Sequence, residues 1–245
     1  MVGKESSGNT ERLKEAISKR IPEGSQIFLD YDGTLVPIVI NPEECFAPDS
    51  LITLLKKIGL KHDLFIVSGR SMEDLRMFLG TDFKMIAMHG ALAQIDGKVL
   101  ELAPGYGKYI EKCREIQSMK LEKKYSGLRV YPKGGGILFH LGLVKPEKMG
   151  EIIEEVDKIS MDNEMEVYHG KEVVEIKIPG VNKGLAIQHF RNGKPCLIAG
   201  DEGTDEMAFG SCPDCLSVHV GNSTTKAEFS VEDVNTFLSV LESLV

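Results

Sequence analysis

The sequence predicts an α/β core, a parallel sheet with helices on both faces, interrupted by a smaller α+β unit. Three observations carry that reading. Short, wholly apolar runs alternate with helical patterns at both ends of the chain, as parallel strands buried on two faces require. In the middle the rhythm changes to a hairpin and then to helix–strand–strand order, which signals a separate unit. Finally, the apolar run Ile27-Phe28-Leu29 ends in Asp30-Tyr31-Asp32-Gly33-Thr34-Leu35. This places two carboxylates at the C-terminal end of a strand, the edge at which open α/β sheets bind ligands.

Taken in order, residues 1–24 form a helical extension, with Asn9 or Thr10 as cap and Leu13, Ile17 and Ile21 on one face. A strand runs from Gln26 to Asp30 and a helix from Pro48 to Ile58. A second strand, Leu64 to Val67, ends in Ser68-Gly69-Arg70 and leads into a helix from Ser71 to Leu79. A third, Met85 to Met88, ends in His89-Gly90. Leu92 to Ile95 and Lys98 to Leu102 flank Asp96-Gly97, a signal for a hairpin with a primed turn. The α+β unit then spans 105–178. It holds a helix (Gly107 to Lys123), strands at Leu128 to Tyr131 and Ile137 to Leu143, a helix (Pro146 to Ile159), and strands at Met165 to Tyr168 and Val173 to Ile178. The α/β rhythm returns with a helix from Asn182 to Phe190 and a strand from Pro195 to Ala199 that ends in Gly200-Asp201. A helix from Thr204 to Phe209, a strand from Ser217 to Val220 and a closing helix from Val231 to Leu244 follow. The core is therefore discontinuous, 1–104 with 179–245, and breaks fall near Pro104-Gly105 and Pro179-Gly180.

At 245 residues the chain has room for a substantial core, and its 42% hydrophobic and 27% charged residues are ordinary for a globular protein. A net charge of -8 argues against nucleic acid as the main partner. No apolar run approaches the roughly 20 residues that span a bilayer. The first 20 residues carry no apolar leader core, so a cytoplasmic location without membrane attachment is expected. Five cysteines, an odd number, argue against a closed disulfide framework. Cys212-Pro213-Asp214-Cys215 has redox or zinc-like spacing but lacks a second pair, and reads as a turn before a strand. The other three cysteines read as structural.

The chemistry lies where strand ends converge. The first strand supplies Asp30 and Asp32, the second Ser68 and Arg70, and a later one Asp201 with Glu202 and Asp205 beside it. The helix after the inserted unit begins near Lys183. Oxygen ligands of this kind suit Mg²⁺, and lysine, serine and backbone N–H groups suit a phosphate. A carboxylate can act as the nucleophile in phosphoryl transfer while a second serves as general acid and then base. The two-residue period puts Asp30 and Asp32 on one side, with Gly33 free to re-aim Asp32. Simpler readings compete. D-x-D-G alone is compatible with a turn; an EF-hand fails because Thr34 holds the fifth loop position and Leu35 the sixth, where glycine is needed. Lys183 alone reads as a solvated helix residue, and Ser68-Gly69-Arg70 as any strand–helix turn. Only the combination with Gly200-Asp201-Glu202-Gly203-Thr204-Asp205-Glu206 points to a site.

In that combination Asp30-Tyr31-Asp32-Gly33-Thr34, Ser68-Gly69-Arg70, Lys183-Gly184 and Gly200-Asp201-x-x-Thr204-Asp205 resemble the four motifs of the haloacid dehalogenase superfamily. The order covers nearly the whole chain beyond residue 25. The resemblance is closer to trehalose-6-phosphate phosphatases, through His89-Gly90, Val173-Val174-Glu175-Ile176-Lys177 and Gly180-Val181-Asn182-Lys183-Gly184. It implies a Rossmann-like core with a mobile α+β cap inserted between the second and third motifs, and a Mg²⁺-dependent phosphatase acting on a sugar phosphate. By position, Asp30 is implied as nucleophile and metal ligand, and Asp32 as acid/base whose carbonyl also reaches the metal. Ser68, Gly69 and Lys183 would hold the phosphate. Asp201 would complete the metal site, supported by Glu202 and Asp205. Arg70, His89 and Gly90 would line the substrate entrance, and Lys133 and Glu175 would contact sugar hydroxyls.

The chain departs from the family in two places. The family's cap carries Glu-x-Lys-Gly where this chain has Tyr131-Pro132-Lys133-Gly134. A tyrosine can stack on a sugar or hydrogen-bond to it, but it supplies no carboxylate. Glu202 stands where the family often has aspartate. Trehalose 6-phosphate is the expected substrate. Sucrose phosphate or mannosyl-3-phosphoglycerate phosphatase, phosphomannomutase, and a non-catalytic sugar-phosphate-binding regulator remain open, although a binding role needs neither nucleophile nor acid/base.

Overall fold

A computed structural model of the chain describes residues 2–39, 41–170 and 172–245. The chain divides into two compact units: Met1–Leu100 with Asn182–Val245, and Glu101–Val181. The larger unit is built on an eight-stranded sheet. Its strands are β1 (Gln26–Leu29), β2 (Asp63–Val67), β3 (Lys84–Ala87), β4 (Leu92–Ile95), β5 (Lys98–Glu101), β10 (Cys196–Gly200), β11 (Leu216–Val220) and β12 (Phe229–Val231), in the order β12-β11-β10-β1-β2-β3-β4-β5. The pairs from β12 to β3 are parallel, and β3–β4 is antiparallel. The fold is therefore α/β as the sequence predicts. Central β1 is buried along its whole length, and Phe28 stacks on Phe65 at 4.9 Å. Asp96 and Gly97 both have positive φ, 50° and 76°, as the primed hairpin turn requires.

The pairing registers decide where the chemistry sits. Leu29 lies between Ala199 of β10 and Ile66 of β2, so the C-terminal ends of β1, β2 and β10 form one continuous edge. The chain adds β2 and β3 on one side of β1 and β10, β11 and β12 on the other, so strand order reverses at β1, the switch point at which such sheets bind ligands. Caps fix the helices that start from that edge. In α3 (Met72–Leu79), the Ser71 side chain accepts from the Asp74 N–H, and in α7 (Lys183–Phe190) Asn182 accepts from the Leu185 N–H at 2.9 Å. In α8 (Gly203–Ser211), Glu202 and Asp205 form a reciprocal capping box.

Several elements differ from the sequence expectation. The first helix, α1 (Val2–Arg20), starts before Asn9 and Thr10 rather than at them. Asn9 does not cap it: its amide donates to the Ser230 carbonyl at 2.5 Å, and Leu13 and Ile17 bury the expected face. The helix expected at 107–123 is two, α4 (Tyr106–Ser118) and α5 (Leu121–Lys124), because Lys120 turns left-handed at φ 51°. The closing helix expected from Val231 begins at Val234 as α9 (Val234–Leu241), capped by Asp233. Val231 itself pairs with Val220 as part of β12. One disulfide that the sequence reading did not anticipate joins Cys196 and Cys215, at the starts of adjacent β10 and β11. Cys45, Cys113 and Cys212 are free and buried. Among the described residues, no helix is long and apolar enough to cross a membrane.

The smaller unit holds a four-stranded antiparallel sheet, β6 (Arg129–Pro132), β7 (Ile137–His140), β9 (Val173–Lys177) and β8 (Glu166–Gly170), in the order β6-β7-β9-β8. With α6 (Pro146–Asp162), helices α4 and α5 cover one face. Cys113, Ile116, Leu121, Ile152 and Val156 pack there against Ile137, Phe139, Val174 and Ile176.

Candidate active site

At the shared edge of β1, β2 and β10 the structure gathers most of the core residues singled out in the sequence. Lys183, the first residue of α7, is 1% exposed. Its ammonium donates to Asp30 Oδ1 at 2.7 Å and to Asp205 Oδ1 at 2.8 Å, with Glu202 Oε1 at 3.7 Å. A buried lysine of this kind is tolerated only because carboxylates neutralise it. Burial pulls its pKa down, and Asp205, Asp30 and Glu202 together more than reverse this, leaving the ammonium firmly charged. Burial raises the Asp30 carboxyl well above the usual range against the pull of Lys183, and raises Asp205 likewise. Asp201 is pushed up to about 7, first by burial and then by the charges of Asp205 and Glu202.

Asp30, Asp201 and Asp205 each bring an oxygen within 4.8 Å of the others. Asp201 Oδ1 is buried without a hydrogen-bond partner. Three crowded carboxylates with one unsatisfied oxygen are a donor set that suits a hard divalent cation. The β1 loop closes over this cluster. Gly33 has φ 77°, and a Cβ there would fall 2.0 Å from Asp201 Oδ2, so only glycine lets the Asp30–Leu35 turn lie against Asp201. Asp205 also accepts from the backbone N–H groups of Asp201 and Glu202, both at 3.2 Å, which ties the end of β10 to the start of α8. Glu202 accepts from the Thr204 hydroxyl at 2.6 Å.

Asp30 and Asp32 do not share partners, although the sequence places them on one side. Asp30 is buried against Lys183, whereas half-buried Asp32 takes a two-pronged ion pair from Arg70, at 2.8 Å from Nε and 2.6 Å from Nη2. The Cys45 thiol donates to Asp32 Oδ1 at 3.3 Å, and the Tyr31 hydroxyl donates to the Cys45 carbonyl at 2.6 Å. Burial and the Asp32 charge push the Cys45 thiol up to about 12, so it stays protonated as a donor. Sequence reasoning missed Cys45, and no local signal marks it, because it reaches Asp32 only through the loop that follows β1.

The remaining predicted residues take distinct places. Ser68 is 2% exposed, and its hydroxyl accepts from the Arg70 N–H at 3.1 Å. His89, left-handed at φ 54° and buried, donates its backbone N–H to the Ser68 carbonyl at 3.0 Å, and its ring lies against Gly69. Gly90 packs on the start of α7. A Cβ there would come within 2.7 Å of Ala186 Cβ and 3.0 Å of the Asn182 carbonyl, so Gly90 seats the helix that presents Lys183. Lys133 and Glu175 belong to the smaller unit and pair with each other at 3.1 Å.

The comparisons with known proteins agree with this arrangement. The family profile described as trehalose-phosphatase matches residues 28–243. A trehalose-6-phosphate phosphatase-related protein from Thermoplasma acidophilum is 39% identical over 209 residues, covering 84% of this chain and 91% of that one. A trehalose-6-phosphate phosphatase from Escherichia coli K12 is 29% identical over 231 residues, covering 89% and 85%. Other curated relatives are longer, and the chain spans about a third of them. The crystal structure of a trehalose-6-phosphate phosphatase related protein superposes with a TM-score of 0.83 at 38% identity, covering 89% of this chain and 95% of that one. The chain belongs to the trehalose-phosphatase family of the haloacid dehalogenase superfamily, and is a phosphoric monoester hydrolase.

Proposed function

We propose that the protein hydrolyses trehalose 6-phosphate to trehalose and phosphate, through an aspartyl-phosphate on Asp30. The observation that carries this reading is the buried Lys183 between Asp30 and Asp205, beside Asp201, at one sheet edge. In the first step Asp30 attacks phosphorus, the bond from phosphorus to the sugar oxygen breaks, and Asp32 protonates the departing oxygen. In the second, Asp32 takes a proton from water, which displaces phosphate from Asp30. Lys183 and Ser68, with backbone N–H groups at Gly69, steady the phosphoryl oxygens. The Lys183 ammonium favours the ionised form of Asp30, against the upward push of burial and of the neighbouring acids. Asp32 rests on Arg70, so its proton-shuttle role requires it to exchange Arg70 for the leaving oxygen.

The metal proposed is Mg²⁺, held by Asp30, the Asp32 carbonyl and Asp201, with Glu202 and Asp205 in support. Bound there, it would neutralise charge on the transferring phosphoryl group. Asp201, whose buried oxygen lacks a partner, fits that role. In the smaller unit, the proposed cap, Lys133 and Glu175 bind sugar hydroxyls, and Arg70 and His89 are proposed to face the substrate. The names of the relatives support trehalose 6-phosphate as the sugar phosphate. A cytoplasmic location is proposed. The disulfide is unusual there, but Cys196 and Cys215 are each 2% exposed, which shields them from cellular thiols.

The test is a panel of sugar phosphates with purified protein and Mg²⁺. Phosphate should be released fastest from trehalose 6-phosphate. A flat profile, or preference for another sugar phosphate, removes the trehalose assignment; release from none removes the hydrolytic one.

A further inference from the structure

The sheet of the smaller unit has its helices on one face only. Strand alternation sorts its residues: Val130, Ile137, Phe139, Val167, Val174 and Ile176 pack on the helix side, and Tyr131, Leu138, Glu175 and Tyr168 belong to the other. The registers put these four in one row across the sheet. Tyr131 stands opposite Leu138, Leu138 opposite Glu175, and Glu175 opposite Tyr168. With neighbouring strands about 4.8 Å apart, the two tyrosine backbones stand roughly 14 Å apart. Between them lie the apolar Leu138 and the carboxylate of Glu175. Glu175 is 3% exposed, and its carboxylate is held by the Lys133 ammonium at 3.1 Å. The turn that carries Lys133 is fixed in its own right. Lys133 N–H donates to the Gly136 carbonyl at 2.8 Å; a Cβ on Gly134 would come within 2.7 Å of the Tyr106 hydroxyl, and one on Gly135 within 2.9 Å of the Tyr106 ring.

A pyranose offers two kinds of surface: an apolar C–H face, which an aromatic ring covers, and a rim of hydroxyls, which a paired acid and ammonium satisfy. The row supplies the polar pair once, near its middle, and an aromatic ring at each end. One sugar ring cannot touch both tyrosines at this span, whereas two linked rings can. We propose that Tyr131 and Tyr168 are specificity determinants, each covering one ring of the disaccharide. This rests on the trehalose 6-phosphate hydrolysis proposed above and adds to it the residues that hold each ring. Tyr131, where a carboxylate is expected, then exchanges an acceptor for a stacking surface, and Tyr168 takes the second ring.

The experiment measures kcat and KM on trehalose 6-phosphate, glucose 6-phosphate and p-nitrophenyl phosphate for the wild type, Tyr131→Leu, Tyr168→Leu and the two Tyr→Phe variants. Each Leu variant should raise KM for trehalose 6-phosphate about fivefold and leave kcat and the p-nitrophenyl phosphate reaction unchanged. The Phe variants, which keep the ring, should behave as wild type. Unchanged selectivity in both Leu variants overturns the proposal, as does an equal loss on all three substrates, which marks a structural role. Because the chain has no tryptophan, tyrosine fluorescence reads binding of trehalose alone. A wild-type response lost in the Leu variants supports the proposal even if turnover of sugar phosphates fails, and no wild-type response overturns it.

Discussion

Replacing Lys183 by methionine tests how the site is held together. The side chain is 1% exposed and bonded to two carboxylates that are themselves buried. Methionine keeps most of the volume but removes the charge, leaving Asp30 and Asp205 buried and uncompensated beside Asp201. Breaking a buried pair by removing one partner costs about 3–5 kcal/mol. For a domain of this size, each kcal/mol moves Tm by about 2–4 °C, so Lys183→Met should lower Tm by about 6–20 °C. The second arm carries the argument. If the cost arises from stranded acids, removing one of them from the variant relieves it. The double variant Lys183→Met/Asp205→Asn should therefore be more stable than Lys183→Met alone, although Asp205→Asn in the wild-type background destabilises. Urea unfolding and calorimetry in the presence of a chelator read both arms. Additive losses in the double variant, or a Tm change within 2 °C for Lys183→Met, would refute the reasoning, since either means the lysine does not offset the acids.

Four other outcomes follow from the same structure. Asp30→Asn should fold as wild type and release no phosphate above background; surviving turnover would exclude a nucleophilic role. Gly33→Ala should reduce kcat about 100-fold, because its methyl group displaces Asp201 by an ångström or more, and activity within threefold of wild type would show that the turn yields instead. Replacing Cys196 and Cys215 by serine opens a loop closed across 19 residues. By the chain-entropy estimate this removes about 3 kcal/mol, or roughly 6–12 °C in Tm, and five free thiols on the unreduced wild type would exclude the bond. Burial lowers the pKa of His62, His140 and His219 below the ordinary 6.5. The unfolded chain therefore takes up protons first, and stability present above pH 6.5 is lost as pH falls through it. The raised carboxyls of Asp30, Asp201 and Asp205 act the other way in this range, so the check is a comparison: between pH 7.5 and 5.5 the urea midpoint of His62→Gln should fall less, or rise more, than that of the wild type, and an identical change would refute the sign.

Much of the core was legible because the physics is local. Wholly apolar strands followed by glycine turns place Asp30, Ser68 and Asp201 at strand ends, and parallel neighbours bring strand ends together. Asn182 before Lys183 is a cap signal, and it fixes the lysine at a helix start. The pairings of side chains were not legible. Two-residue periodicity placed Asp30 and Asp32 together, but Asp32 lies beyond the last paired residue of β1, where alternation no longer binds. Arg70, in the turn that follows the neighbouring strand β2, decides its direction instead. Cys45 and the Cys196–Cys215 bond depend on register between distant segments. The spacing of Cys212 and Cys215 drew the eye to a neighbour in sequence, whereas the partner of Cys215 starts the adjacent strand. The same holds for β12, where Phe229–Val231 is too short to declare itself except by pairing with β11.

The central claim is that Asp30 carries the phosphoryl group, and chemical trapping tests it most directly. During turnover of trehalose 6-phosphate with Mg²⁺, borohydride reduces an aspartyl-phosphate to homoserine, and peptide mass spectrometry locates the change. The account predicts conversion at position 30, dependent on substrate and absent from Asp30→Asn. Steady phosphate release with position 30 unmodified, or conversion at another carboxylate, would contradict it.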